Sequence, residues 1–154
     1  MNNLIAACIQ LNTQDKLDSN LQVLEGLIKE ACNKGANFIF TPENSDIMKP
    51  NLSLKDIYIE KDHPFLDRLR NLARELDIWI NIGSISVKEE SNSNKCYKRS
   101  YTINNYGEVL SRYDKLHLFD LVLPNNEKYQ ESAFFNEGKK SVITDTPWGK
   151  LGHS

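Results

Sequence analysis

The sequence predicts a mixed α/β domain in which strands alternate with amphipathic helices. Three apolar segments, at 4–12, 37–40 and 78–87, are short enough and apolar enough to be buried strands. The segments between them carry apolar residues at helical spacing, and two further strands follow. A chain of 154 residues has the length of about one domain. Since functional sites in such sheets gather beyond the carboxyl ends of the strands, the loop after 37–40 is the first place to look for one.

The two predicted helices are each marked by an apolar face and by terminal residues. The first ends at Gly35, and its face consists of Leu17, Leu21, Leu24, Leu27, Ile28 and Ala31. The second opens at Asp62-His63-Pro64, since proline is favoured in the first turn of a helix. Its face consists of Phe65, Leu66, Leu69, Leu72, Ala73 and Leu76.

Turn residues predict two hairpins in the second half of the chain. Strands at 96–103 and 108–115 are joined by Asn104-Asn105-Tyr106-Gly107. The run "SVITD" and the run "KLGHS" are joined by Thr-Pro-Trp-Gly, which has proline and glycine at favoured turn positions. The intervening stretch from Phe119 to Lys140 has few periodic signals, so we expect a long surface loop there.

Composition excludes several classes of partner. There are 19 Lys and Arg against 21 Asp and Glu, so a net charge of −2 gives no field that attracts nucleic acid or anionic lipid. We find neither a signal peptide nor an apolar run of membrane-spanning length. Cys8, Cys32 and Cys96 are odd in number and widely spaced, which favours a reducing, cytoplasmic location. We expect them to be small apolar fillers, and we expect no metal and no cofactor.

Two residues are candidates for acid–base chemistry. Glu43 follows the second strand and would act as a general base if partial burial raised its pKa toward neutrality; the alternative is a solvated loop residue. Lys115 shares a strand face with Ser111 and Tyr113, so its ammonium group could face a developing oxyanion. The alternative for Lys115 is a strand-edge lysine that discourages edge pairing, and on position alone that alternative is favoured.

The remaining acids and histidines give weaker signals. Glu131 would face the same pocket if its loop folded back, whereas Glu127 and Glu137 are comparable acids without that prospect. His117 has no partner at metal-ligand spacing and is expected to be a structural, hydrogen-bonded histidine. His63 is expected near a helix cap, and His153 has no evident role.

Taken together, these segments resemble the nitrilase superfamily, the carbon–nitrogen hydrolases. The segments "AACIQLN", "FIFTPEN", "SRYDKLHLFD", "YQES" and "DTPWGKLG" occur in the order and rough spacing of that family. The closest branch is that of amidases acting on small ω-amides, such as deaminated glutathione amidase. The resemblance implies a partial α-β-β-α sandwich, with about half of a complete domain present.

The resemblance also implies roles for particular residues. It assigns Glu43 as the base, Lys115 as the cation beside the oxyanion and Glu131 as a supporting carboxylate. The nucleophilic cysteine of the family would lie just beyond Ser154. Two positions depart from the family pattern: relatives often carry Asn in place of Lys98, and a small or apolar residue is expected in place of His153.

The resemblance leads to the following expectations for the whole chain. Residues 1–154 would form a single carbon–nitrogen hydrolase domain, truncated before the catalytic cysteine and inactive alone. Its substrate would be a small amide, and a homo-oligomer or a complementing C-terminal half are possible partners. Two alternatives remain open, namely a non-catalytic binding module and one half of a split two-chain amidase. Missing strands would leave apolar faces and sheet edges uncovered.

Overall fold

A computed structural model describes residues 3–154 and contains a five-stranded sheet. The first three strands run parallel and the last two are antiparallel to their neighbours. In chain order, which is also the order in the sheet, the strands are β1 (Ala6–Cys8), β2 (Phe38–Phe40), β3 (Trp79–Val87), β4 (Tyr97–Ile103) and β5 (Val109–Asp114). The predicted mixed α/β class is confirmed.

Two helices cover one face of this sheet. They are α1 (Leu17–Asn33) and α2 (Pro64–Leu76), and both form where the apolar periodicity predicts them. Pro64 is the first residue of α2, and Gly35 just after α1 has a φ of 92°, which favours glycine. The core between helices and sheet includes Leu24, Ile28, Leu69, Leu72, Ile80, Ile82 and Tyr101, all fully buried.

The stretch from Phe119 to Lys140 is more structured than the long surface loop predicted. It contains a small antiparallel hairpin of β6 (Asp120–Val122) and β7 (Lys128–Gln130), followed by a short 3₁₀ helix, Glu131–Ala133. Strands of three residues with mostly exposed side chains show no apolar alternation. For that reason the sequence pattern does not reveal them.

The last two strands form the hairpin that the turn residues predict. These are β8 (Val142–Thr146) and β9 (Gly149–His153), paired antiparallel. The hairpin packs against the sheet face opposite the helices, since Trp148 stacks on Phe38 at 5.6 Å between ring centroids. Thr144 also donates a 2.6 Å hydrogen bond to the hydroxyl of Ser111. The sheet is therefore covered by helices on one side and by strands on the other.

His153 has a defined place in this second layer, although no role was predicted for it. Its Nε2 lies 3.0 Å from the hydroxyl of Thr102, and its ring stacks on Tyr113 with centroids 5.9 Å apart. The hydroxyl gives the imidazole a polar partner at a position where an apolar residue was expected. Burial lowers the pKa of His153.

The first strand differs from prediction. Only Ala6–Cys8 forms a strand within 4–12, and Leu4 and Ile5 are each 48% exposed. Cys8 is exposed as well, so the expectation of a buried filler is wrong at this position. The reason is that β1 is an edge strand, with no neighbour on its outer side among residues 3–154. Within the same residues, neither helix has the length and apolarity to cross a membrane.

Candidate active site

Glu43 lies in a loop that is closely packed at the carboxyl end of β2. The amide of Ser45 donates to the carbonyl of Ser84 at 2.9 Å, which ties the loop to β3. Gly83 approaches the loop so closely that a Cβ there would lie 2.3 Å from the carbonyl oxygen of Thr41. These contacts fix the backbone on either side of Glu43 while leaving half of its side chain exposed.

Lys98 and Lys115 are brought side by side by the β4–β5 hairpin. The amide of Lys115 donates to the carbonyl of Lys98 at 2.9 Å, which continues the strand pairing by one residue. The carbonyl of Lys115 accepts from the amide of Gly138 at 2.9 Å. The Lys98 side chain is only 8% exposed, against 27% for Lys115.

Glu131 reaches the same place because its segment folds back on the sheet. Its amide donates to the carbonyl of Phe119 at 3.2 Å, and its Oε2 accepts from the amide of Phe119 at 2.8 Å. Lys95 donates to the carbonyl of Ser132 at 2.6 Å, which holds the short helix against the start of β4. Glu131 therefore lies beside the two lysines rather than out in solvent.

The four side chains form one cluster of two carboxylates and two ammonium groups. Lys115 Nζ donates to Glu43 Oε1 at 2.9 Å and to Glu131 Oε2 at 3.1 Å. Lys98 Nζ donates to Glu43 Oε1 at 3.2 Å and also to Glu131 Oε1. The other oxygen of Glu43, Oε2, accepts no hydrogen bond from residues 3–154. We call these four residues the lysine cluster.

The charges in the lysine cluster favour the ionised forms of Glu43, Glu131 and Lys115. Burial raises the pKa of Glu43, but Lys115 and Lys98 outweigh burial and leave that pKa below its usual value. The prediction that partial burial raises the pKa of Glu43 toward neutrality is therefore wrong, because that pKa is lowered. Burial also raises the pKa of Glu131, yet Lys98, the Phe119 amide and Lys115 bring it down to about 2. Conversely, burial lowers the pKa of Lys115, and its bonds to Glu43 and Glu131 raise it above its ordinary value.

The other candidate acids and histidines lie outside the lysine cluster. Glu127 is exposed and accepts a hydrogen bond from Tyr129, and Glu137 is exposed too. His117 is exposed, and the structural, hydrogen-bonded role expected of it stays a prediction. His63 is the N-terminal cap residue of α2, as expected, and its Nε2 lies 3.3 Å from the carbonyl oxygen of Ser86.

None of the three cysteines makes a hydrogen bond to the lysine cluster within the described residues. Cys96 is buried in a small apolar cluster with Ile57 and Phe135, and its thiol donates to the carbonyl of Phe134 at 3.7 Å. Burial raises the pKa of the Cys96 thiol to about 12, so it is not a thiolate at neutral pH. Cys32 lies on α1, and burial raises its pKa as well.

Sequence reasoning missed Lys98 as a member of the site. The available signal was strand alternation: Tyr101 and Ile103 face the helices, so Ser100 and Lys98 must face the other way, toward Lys115. Strand alternation predicts which face of the sheet Lys98 lies on, but it does not predict how deeply the side chain is buried. The contact with Glu131 depends on how the segment from Phe119 folds back, and no local pattern encodes that fold.

The fold and the lysine cluster define an α/β domain with paired acidic and basic side chains at the carboxyl end of a strand. The sequence matches the family named carbon-nitrogen hydrolase over residues 5–154, so the chain belongs to that family. The nitrilase-type resemblance is thereby confirmed, and so is the fold class.

Individual relatives agree with this family assignment. The chain is 32% identical to the nitrilase and fragile histidine triad fusion protein NitFhit of Caenorhabditis elegans, across 97% of this chain and 34% of that protein. The crystal structure of NitFhit superposes with a TM-score of 0.86. The chain is 30% identical to deaminated glutathione amidase of Yersinia enterocolitica, across 99% of this chain and 54% of that protein. It is 36% identical to the probable hydrolase nit2 of Schizosaccharomyces pombe, across 96% and 54% of the two chains. The chain thus spans between about a third and about half of these relatives.

Proposed function

We propose that the chain supplies the base and the cationic groups of an amidase that hydrolyses small linear ω-amides to an acid and ammonia. The observation that carries the proposal is the lysine cluster, in which ionised Glu43 lies beside the protonated ammonium of Lys115 and its Oε2 accepts no hydrogen bond from the described residues. Membership of the carbon–nitrogen hydrolases supports the reaction class, and relatives named deaminated glutathione amidase support a small amide as substrate.

Each residue would have a separate task in a two-step acyl transfer. Glu43 would take the proton of a thiol through its free Oε2, and the thiolate would attack the amide carbon. The Lys115 ammonium would stabilise the negative charge that forms on the carbonyl oxygen. Ammonia would leave with a proton returned by Glu43, and water would then release the acid. Glu131 would hold Lys115 in position through its 3.1 Å contact.

The nucleophile in this proposal comes from outside residues 1–154. Cys8 is exposed on the edge strand, Cys32 is on α1, and Cys96 is a buried thiol bonded to a backbone carbonyl. We therefore propose a domain truncated before its cysteine, which is inactive until a C-terminal half completes it, in the same protein or as a second chain. We also propose that the completed domain forms a homo-oligomer.

The test measures ammonia release from a panel of small ω-amides. The purified chain alone is expected to release none above a Glu43→Gln control. The chain mixed with, or fused to, the C-terminal half of the Yersinia relative is expected to release ammonia. Glu43→Gln and Lys115→Met should abolish that activity, whereas the exposed control Glu127→Gln should preserve it. Turnover by the chain alone, or an active assembly that tolerates Glu43→Gln, would overturn the proposal.

A further inference from the structure

Lys98 is the most buried member of the lysine cluster. Its side chain is 8% exposed, and its Nζ lies 5.0 Å from the centre of the Phe135 ring. An ammonium group that is removed from water costs several kcal/mol unless it is well paired. Lys98 meets that requirement with two carboxylates, those of Glu43 and Glu131.

The two lysines share the carboxylate oxygens unequally. Lys98 binds Oε1 of Glu43 and Oε1 of Glu131, and it is the only described side chain that binds the latter atom. Lys115 binds Oε1 of Glu43 and Oε2 of Glu131. Glu43 therefore has both ammonium groups on one oxygen, while Oε2 has no hydrogen-bond donor within residues 3–154.

We propose that Lys98 is a positioning residue that ties Glu43 to Glu131 through one buried ammonium group. It holds the Glu43 carboxylate with Oε1 occupied and leaves Oε2 as the oxygen that accepts a proton. The inference rests on the proposed function of Glu43 as the base. Lys98 itself acts only through the two carboxylates and touches no reacting atom.

Two consequences follow from the charges. Two ammonium groups balance two carboxylates, so the lysine cluster carries no net charge before a substrate enters. Without Lys98, Oε1 of Glu131 has no partner and Lys115 alone must hold both acids. Removing the Lys98 charge should therefore make both carboxylates easier to protonate.

The experiment is a carbon-13 NMR titration of the Glu43 and Glu131 carboxyl groups. In Lys98→Met, the midpoint of Glu131 is expected to rise by about one pH unit or more, and that of Glu43 to rise as well. Lys98→Arg, which keeps the charge, should restore both midpoints toward their native positions. The matched control is Lys88→Met, since Lys88 is half-buried but donates to the carbonyl of Leu54 rather than to an acid. Unchanged midpoints in folded Lys98→Met would overturn the proposal.

A second measurement uses the unaltered Lys98 and covers the case in which Lys98→Met does not fold. Nitrogen-15 NMR should find the Lys98 ammonium hydrogens protected from exchange, and Glu43→Gln should shift that signal. Exchange as fast as at the exposed Lys34 would contradict the inference. Neither readout needs turnover, so a failure of the amidase proposal and a failure of the Lys98 proposal are distinguishable.

Discussion

Lys98 and Arg99 are neighbours on β4, yet they organise two different charge clusters on opposite faces of the sheet. Each side chain is 8% exposed, and each contacts carboxylates from distant parts of the chain. Successive residues of a strand point to opposite faces, so one cation faces the helices and the other faces the C-terminal hairpin side. Both clusters combine basic and acidic side chains, but they differ in how completely the carboxylate oxygens are hydrogen-bonded.

In the cluster around Arg99, every carboxylate oxygen of Asp114 and Glu60 has a hydrogen-bond partner, and Glu89 Oε1 lies 3.5 Å from Arg99 Nη2. Its guanidinium binds both oxygens of Asp114, at 2.6 and 3.0 Å, and also binds Oε2 of Glu60. The remaining oxygen of Glu60 accepts from Arg112 at 2.5 Å. Burial lowers the pKa of Arg99, but the bonds to Asp114 outweigh burial and raise it. Every oxygen of Asp114 and Glu60 is occupied, which suits a structural support.

The difference shows that a cavity alone does not identify a reactive site. A cavity of about 600 Å³ borders the Arg99 cluster and is lined by residues that include Glu60, Arg70 and Arg112. No carboxylate oxygen of Glu60 is free there to act as a base. In the lysine cluster, by contrast, no donor in the described part of the chain binds Oε2 of Glu43, whose side chain is half-exposed. The planar fork of arginine occupies oxygens in pairs, whereas a lysine ammonium is a point charge that leaves some unbonded.

Removing the Arg99 charge tests the structural role of the Arg99 cluster and should have the largest effect on the stability of the fold. Arg99→Met leaves Glu60 and Asp114 without their main partner, so we expect unfolding to become easier by about 3–5 kcal/mol. The midpoint temperature should fall by roughly 10 °C. Urea and thermal unfolding measure both. Arg112→Met, whose side chain is 50% exposed, is the control and should cost less than about 1 kcal/mol. Equal losses in the two variants would contradict a structural role for Arg99.

A methyl group at Gly83 should disturb the loop that carries Glu43. In Gly83→Ala the new Cβ would meet the Thr41 carbonyl at 2.3 Å, so the loop must shift. We expect a loss of about 1–3 kcal/mol in urea unfolding, together with altered NMR signals of Glu43 and Lys115. Gly26→Ala is the matched control, since nothing lies within 4 Å of its added Cβ and alanine favours the helix. A stable Gly83→Ala with native Glu43 signals would show that this close approach does not position the base.

Acid titration should give the smallest of the three effects on stability. It tests whether the ion pairs of the lysine cluster contribute to stability in solution. The pKa of Glu131 is lowered from 4.5 to about 2 in the folded chain. Its contribution is therefore fully present above about pH 4.5 and is lost as the pH falls toward 2. Allowing for partial exposure, we expect Glu131 to contribute roughly 1–2 kcal/mol.

The measurement is the free energy of urea unfolding between pH 2 and 6, in the native chain and in Glu131→Gln. The variant should lack this part of the acid dependence, so the native curve should fall toward the curve of the variant between about pH 4.5 and pH 2. Glu127→Gln, at an exposed acid outside the lysine cluster, is the control for loss of one carboxylate. Curves of native chain and Glu131→Gln that stay parallel from pH 6 to 2 would exclude the proposed ion pairing in solution.

Much of the secondary structure was predictable because its signals are local in the sequence. Apolar periodicity predicted α1 and α2, and turn residues predicted the β4–β5 and β8–β9 hairpins. The β6–β7 hairpin was missed because its strands are short and exposed. The exposure of β1 was missed because an apolar run does not reveal whether a neighbouring strand covers it.

The sequence by itself determined the order of α1, α2 and the strands outside the β6–β7 hairpin, the family, and the identity of Glu43, Lys115 and Glu131 as candidate residues. Only the tertiary structure decided that Lys98 joins them, that Glu43 has a lowered rather than a raised pKa, and that His153 is accommodated beside Thr102. The physical reason is the sequence separation over which each kind of interaction acts. Periodicity and turn chemistry act over a few residues, whereas hydrogen bonds and charges in the lysine cluster connect groups up to 72 positions apart, which only the folded chain brings together.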